Sequence, residues 1–295
     1  MKTLDGVTLG FIGLGLMGRP MCLNLHRAGA HLVVHNRSRR VLAELERTGI
    51  VPAGTPAEVA RSTQIIILML TDTPAVENVL YATDGLMEGL QEGSLVVDMG
   101  TTAVANTRKV ATRLNRIGSD YIDAPVSGGE IGAIEGKLTI MAGGEPDAIE
   151  RARPVFEVLG SSFTHIGRSG SGQVAKAANQ IIVGLNIGAV AEALSLVESA
   201  GVDPAKVRQA LMGGFAASRI LEVHGRRMID RDFKPGAKVT TQCKDLKQAI
   251  ELGALNHQSL PATELNLSLY QSLVDRGQGE LDHSALIKAL RDGPE

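Results

Sequence analysis

Residues 8–12, Thr-Leu-Gly-Phe-Ile, make a short apolar run that feeds directly into Gly13-x-Gly15-x-x-Gly18. This is the pattern of a strand, a tight turn and a helix in a βαβ crossover. The first glycine makes the turn, the second lets a pyrophosphate approach the backbone, and the third lets the helix pack on the strand. A helix predicted over residues 20–28 would aim unpaired N–H groups and the positive end of its dipole at such a diphosphate. Pro20 fits the first turn, where its missing donor costs nothing. Gly13, Leu14, Gly15, Leu16, Met17 and Gly18 are therefore candidate dinucleotide-binding residues.

A second strand is predicted over residues 30–35, and Asn36-Arg37-Ser38-Arg39-Arg40 follows it. An acidic residue at this place would accept from a ribose 2′-OH and repel a 2′-phosphate. Asn36 does not repel, and Arg37 offers a planar fork suited to a phosphate monoester. Asn36, Arg37 and Ser38 thus favour NADP(H), with NAD(H) also admissible. The plainer alternative is a solvated turn and helix start.

At 295 residues the chain exceeds one typical domain and suggests two. Its net charge of −2 offers no electrostatic footprint for nucleic acid or an anionic membrane. Cys22 and Cys243 are too few and too far apart for a disulfide framework or a zinc site. They read as isolated thiols of a cytoplasmic protein. The amino terminus lacks the layout of a signal peptide. No apolar run reaches the ~20 residues that span a bilayer; the best, residues 181–191, is interrupted by Asn186 and stopped by Glu192.

The first half alternates strand and helix patterns. Residues 65–70 and 94–98 are continuous apolar runs, as expected of central parallel strands buried on both faces. Further strands are predicted at 121–124, 137–142 and 162–165, with helices over 102–117 and 146–159. From residue 172 to 200 the pattern turns helical and poor in charge. Gly184 and Gly188 stand one turn apart there, which suggests close backbone packing in a helix buried on most sides. The expected fold is α/β, a doubly wound Rossmann sheet over residues 1–167. An all-helical domain for substrate binding and oligomerisation follows over 168–295, with a long interdomain helix.

Three stretches could carry chemistry. Residues 123–129, Asp-Ala-Pro-Val-Ser-Gly-Gly, follow a strand at the carboxyl edge of the sheet, where open α/β folds bind ligands. Ser127 supplies a hydroxyl, and Gly128 and Gly129 leave N–H groups open to a small carboxylate; the same residues also suit an ordinary turn. Residues 170–180 open the long helix and put Lys176 and Asn179 on one face. Burial disfavours a lysine's charged form and suits it to proton exchange near neutrality, whereas a lysine on a wet first turn would do nothing. Lys244-Asp245 could close over the site or be an idle surface pair. No histidine spacing suggests a metal site, and His35 and His165 read as structural.

Together and in this order, these elements resemble the β-hydroxyacid dehydrogenases from about residue 8 to about residue 290. The matching stretches are 10–18, Gly-Phe-Ile-Gly-Leu-Gly-Leu-Met-Gly; 123–129; 170–176, Gly-Ser-Gly-Gln-Val-Ala-Lys, with Asn179; and 244–246, Lys-Asp-Leu. Residues 230–236, Asp-Arg-Asp-Phe-Lys-Pro-Gly, and 282–286, Asp-His-Ser-Ala-Leu, look most like the branch that reduces a three-carbon aldehyde acid. The resemblance implies hydride transfer between a nicotinamide and that small carboxylate-bearing substrate, with Lys176 donating the proton. It implies that Ser127, Gly128 and Gly129 hold the substrate carboxylate, and that Asn179 supports Lys176 and the substrate hydroxyl. It places Lys244 beside the nicotinamide, Thr101 on the cofactor, and Leu70 and Thr71 along the cofactor cleft. A homodimer or homotetramer is expected. Sister readings are a 3-hydroxyisobutyrate or other 3-hydroxy-acid dehydrogenase; a related imine reductase fits less well, since Lys176 is retained. A non-catalytic NADP-binding sensor is the reading from another class. Two departures matter: Gly100 stands where many relatives carry serine, and Asn36 where others carry aspartate before the arginine.

Overall fold

The computed structural model describes residues 4–291. Its first half runs β1 (Thr8–Ile12), α1 (Gly18–Arg27), β2 (His31–His35), α2 (Arg39–Glu46), β3 (Val51–Pro52), α3 (Pro56–Ser62), β4 (Ile65–Leu68) and α4 (Thr73–Tyr81). It continues through β5 (Leu95–Asp98), α5 (Val104–Asn115), β6 (Asp120–Asp123), β7 (Val126–Ser127), α6 (Gly129–Glu135), β8 (Leu138–Gly143), α7 (Pro146–Leu159) and β9 (Gly160–Gly167). The first helix starts at Gly18, ahead of the predicted Pro20, and so begins inside the glycine turn. β3 and β7, two residues each, are too short to leave a period in the sequence.

Among the described residues these strands form one sheet in the order β3-β2-β1-β4-β5-β6-β8-β7, with β9 paired to β8. Strands β1 to β6 pair in parallel. Direction reverses at β8, which meets β6 antiparallel through Asp123 and Gly143. β1 has β2 on one side and β4 on the other, so the crossovers leave in opposite directions. A ligand crevice lies beyond the carboxyl ends of strands at such a point.

The strands are apolar throughout because both faces are covered. Leu9, Phe11, Ile67 and Val97 pack with Met21, Leu25 and Phe156 of α1 and α7. Ile12, Ile66, Leu68 and Val96, alternating with them, pack with Val59, Val76, Leu80 and Leu114 of α3, α4 and α5. Helices on both faces of a parallel sheet make the doubly wound architecture.

One compact unit ends at Lys176 and the next begins at Ala177, so the division falls inside α8 (Ser171–Ser199). The second unit is helical: the rest of α8, then α9 (Pro204–Leu211), α10 (Arg219–Asp230), α11 (Val239–Leu255), α12 (Pro261–Asp275) and α13 (Leu286–Arg291). Its core gathers Ile187, Leu194, Met228, Leu246, Tyr270 and Leu286. The glycines of α8 do mark close packing, but against amides. A Cβ at Gly184 would lie 2.8 Å from Gln242 Nε2, and one at Gly188 would lie 2.6 Å from Asn266 Nδ2.

One expectation for this helix needs correction. By length and composition α8 would suffice to cross a membrane, although no uninterrupted apolar run within it reaches that length. It is not buried on most sides: 39% of its most apolar stretch is covered, and Ile182 and Leu196 are 62% and 70% exposed.

Residues 230–236 and 282–286, two of the stretches that resemble the aldehyde-acid-reducing branch, clasp one another. Asp282, fully buried, accepts from the N–H groups of Gly236 at 2.9 Å and Ala237 at 3.2 Å, and from Ser284 Oγ at 2.6 Å. Arg227 Nη1 lies 3.1 Å from it. Burial pushes this carboxyl up, but His224, the charge of His283 and the Ser284 and Gly236 donors outweigh that and hold it well below the carboxylate range. The clasp fixes the chain that leads into α11.

Candidate active site

The glycine turn shows why each glycine is needed. Gly13 has φ +101° and donates to His35 O at 3.1 Å. A Cβ there would collide with Met69 O and lie 3.0 Å from Leu70 Cδ2. A Cβ on Gly18 would collide with Gly13 O. At Gly15 the opposite holds: nothing lies within 4 Å of an added Cβ. That open approach at the amino end of α1 is the space a pyrophosphate needs, so these residues fit a dinucleotide. Leu14 is buried, Met17 half-buried and Leu16 exposed.

Asn36 does more than avoid repulsion. Its Oδ1 accepts from Leu14 N at 2.9 Å and its Nδ2 donates to Ser38 O at 3.1 Å, so it ties the glycine turn to the end of β2. Only the unlike pairing of a turn amide with a distant side chain carries this role, which strand periodicity cannot reveal. Arg37 and Ser38 are exposed at the start of α2, and the Ser38 side chain makes no cap hydrogen bond there. Leu70 and Thr71 follow β4, with Thr71 exposed and donating to Asp72 Oδ2 at 3.1 Å. Gly100 follows β5, and a Cβ there would lie 2.7 Å from Leu70 O. A side chain at this position would crowd that carbonyl and Asp98 Oδ1, 3.1 Å from the added Cβ. Thr101 is half-buried beside it.

Below these loops lie two fully buried carboxylates at paired positions on β5 and β6. Asp98 accepts from Gly100 N at 3.0 Å, Thr102 Oγ1 at 3.1 Å and Tyr121 OH at 2.9 Å. Asp123 accepts from Gly170 N at 2.7 Å and Gln173 N at 2.9 Å, the first turn of α8. Burial raises Asp123 to about 7, against the opposing pull of those two N–H donors. Gln173 completes the frame by accepting from Thr102 N at 3.1 Å and donating to Gly100 O at 2.9 Å. Neither carboxylate nor Gln173 carries a sequence signal of its own, although each stands inside or beside a motif.

Lys176, three residues beyond Gln173, is buried at 7% exposure and its Nζ donates to Val126 O at 2.8 Å. This excludes the wet first-turn alternative and joins two of the chemistry-bearing stretches. Ser127 is half-buried, and Gly128 and Gly129 have φ of +131° and +60°, a conformation that favours glycine and opens α6.

In the second unit, Asn179 Nδ2 donates to Gln180 Oε1 at 2.7 Å, and Gln180 Nε2 donates to Asp245 Oδ2 at 2.5 Å. Lys244 Nζ lies 2.9 Å from Asp245 Oδ1, and Asp245 is buried at 3%. Asn179 and Lys244 are thereby tied through one buried carboxylate, so Lys244-Asp245 is no idle surface pair. His224, Asp282 and His283 have metal-ligand types close together, but Arg227 and the N–H donors already occupy Asp282.

Residues 8–167 match the NAD binding domain of 6-phosphogluconate dehydrogenase, and residues 170–290 match a domain described as NAD-binding of NADP-dependent 3-hydroxyisobutyrate dehydrogenase. The chain is 49% identical to the 2-hydroxy-3-oxopropionate reductase of Escherichia coli (strain K12), over 96% of both chains. It belongs to the β-hydroxyacid dehydrogenase family. As a member of that family it is an NAD(P)-dependent oxidoreductase of CH–OH groups. Among solved structures, the 3-hydroxyisobutyrate dehydrogenase of Mycobacterium tuberculosis with L-serine superposes with a TM-score of 0.87 at 29% identity, covering 97% of this chain and 99% of that one. Psf3, solved in complex with NADP+ and 2-OPP, has a TM-score of 0.87 at 28% identity, covering 96% and 99%. In this β-hydroxyacid dehydrogenase the cysteines are no nucleophiles. Burial pushes the Cys22 thiol up to about 12 and that of Cys243 to about 11.

Proposed function

We propose that the protein reduces tartronate semialdehyde (2-hydroxy-3-oxopropionate) to glycerate with NADPH. The observation that carries this is the 49% identity over 96% of the chain to a 2-hydroxy-3-oxopropionate reductase. The resemblance to that branch of Gly128-Gly129-Glu130, of residues 179–183, of residues 230–236 and of residues 282–286 supports it. The 3-hydroxyisobutyrate alternative draws on the description of the second domain's match and on the M. tuberculosis structure. A non-catalytic sensor would have no use for a lysine buried among the motif residues.

When bound, the nicotinamide supplies a hydride to the aldehyde carbon. Everything else falls to the chain. Gly13, Gly15 and Gly18 shape the pyrophosphate turn; Leu14, Leu16 and Met17 flank it; Leu70, Thr71 and Thr101 line the cofactor cleft. Ser127 Oγ and the Gly128 and Gly129 amides take the substrate carboxylate. Lys176 gives a proton to the carbonyl oxygen as it becomes an alkoxide, which turns the aldehyde into a primary alcohol. The family resemblance gives Asn179 the support of that lysine and of the substrate hydroxyl, and gives Lys244 a place beside the nicotinamide.

A panel of short aldehyde acids, each assayed with NADPH and NADH, tests the reading. Tartronate semialdehyde should give the highest kcat/KM; a higher value for the 3-hydroxyisobutyrate aldehyde would replace this substrate with that one. Arg37→Ala should weaken NADPH by roughly 10–100-fold, the worth of hydrogen bonds to a charged group, and leave NADH nearly unchanged. Unchanged affinity for both would mean that Arg37 only faces solvent, and equal losses would mean a contact the two cofactors share, either of which defeats the 2′-phosphate role.

We also propose a homo-oligomer, with the exposed Ile182 and Leu196 of α8 covered by a second copy. Light scattering should give at least twice the chain mass, and Ile182→Glu with Leu196→Glu should return the monomer. A wild-type monomer at micromolar concentration would defeat this.

A further inference from the structure

Asp123 sits at the end of β6, and its two oxygens are taken by Gly170 N at 2.7 Å and Gln173 N at 2.9 Å. The packing around it leaves no slack. A Cβ on Gly172 would lie 2.5 Å from Asp123 O and 2.9 Å from Asp123 Oδ2, and one on Gly143 would lie 2.8 Å from Asp123 Oδ1. The amino end of α8 is thus seated on this carboxylate, which also complements the helix dipole. One turn further along, Lys176 Nζ meets Val126 O at 2.8 Å. The same turn carries Gln173, whose amide holds Gly100 and Thr102.

We infer that Asp123 is a positioning residue for Lys176, setting the depth of the first turn of α8 and hence the place from which the ammonium delivers its proton. This rests on the proposed proton donor. Because both Asp123 oxygens accept N–H groups, the ionised carboxylate is the form that holds the turn most firmly; protonation leaves one oxygen a weaker acceptor and adds a hydrogen to an already crowded site. The charged and titratable groups around it are Asp98 on β5, Tyr121 on β6, Arg108 of α5 beside Gly170, and Lys176 on α8 itself. Asp98 adds to the effect of burial in raising Asp123 to about 7.

Activity and stability should therefore move in opposite directions. The folded carboxyl holds its proton more tightly than the unfolded one. Its contribution to folding is complete below the usual carboxylate range and is lost as pH rises through about 7. Turnover, which needs the ionised form, should instead rise through that range. A purely structural cap gives no such rise.

The test is Asp123→Asn, which keeps the shape but turns an N–H₂ toward one of the two N–H donors. Turnover should fall roughly 10–100-fold, as for a modest displacement of a reacting group. KM for NADPH should stay within about threefold, and the acid limb near neutrality should vanish. Unchanged kcat and an unchanged limb, in a protein whose Lys176→Ala form is inactive, would overturn the positioning role and leave the proton donor standing. An active Lys176→Ala form would instead defeat the donor itself. If Asp123→Asn does not fold, the wild-type profile decides: an infrared titration of the buried carboxyl should coincide with the kcat limb, and a flat kcat from pH 6 to 8 would overturn the inference.

Discussion

Replacing Lys176 by alanine should cut turnover by about 10²–10⁴, the range that general acid catalysis supplies, while NADPH binds as before. Lys176 is buried at 7% exposure, and its amine donates to the backbone carbonyl of Val126. That bond anchors the amine at the residue before Ser127, the proposed carboxylate ligand. The glycine turn shapes the pyrophosphate end of the proposed cofactor site, which is why cofactor affinity should survive. Stopped-flow measurement of hydride transfer together with fluorescence titration of NADPH separates the two effects. Near-normal turnover would remove Lys176 from the chemistry. A loss of NADPH affinity equal to the loss of turnover would make it a binding residue. Added small primary amines offer a second readout. Partial rescue of the alanine variant by an amine would tie the defect to the missing proton donor, because a collapsed site would not respond.

Much of this arrangement was legible in the sequence because its signals are local. The glycine spacing, the apolar runs at 65–70 and 94–98, and the charge-poor stretch that became α8 each follow from residues adjacent in the chain. The reversal at β8 and the short strands β3 and β7 were not legible, since two residues make no period and strand direction is decided by tertiary pairing. The supporting polar frame was hidden for a related reason. Asp98, Asp123 and Gln173 form a unit only once β5, β6 and the start of α8 are brought together, as do Gln180 and Asp245 once α8 and α11 pack. The glycine spacing overstates the burial of α8, because it reports one close face and says nothing of the opposite one. That opposite face carries Ile182 and Leu196.

Gly15 and Gly18 differ by three residues and should fail in opposite ways when each is changed to alanine. At Gly18 the new methyl would be driven into the Gly13 carbonyl oxygen, with Phe11 Cε1 only 3.2 Å away. Neither can yield cheaply, because Gly13 is pinned to His35 O and Phe11 is fully buried in the core. Overpacking of this kind costs on the order of 3 kcal/mol, which for a unit of this size is a drop of roughly 6–12 °C in Tm. Gly15→Ala meets nothing within 4 Å and its φ is not in the left-handed region, so the apoprotein should melt within about 1 °C of the parent. Its methyl would instead stand where the pyrophosphate approaches the backbone, and NADPH affinity should fall by roughly tenfold or more. Calorimetry of both apoproteins and titration with NADPH give four numbers that must follow this crossed pattern. Should Gly15→Ala bind NADPH normally, the diphosphate does not cross at Gly15, and the cofactor assignment of the turn would have to move elsewhere along residues 13–18.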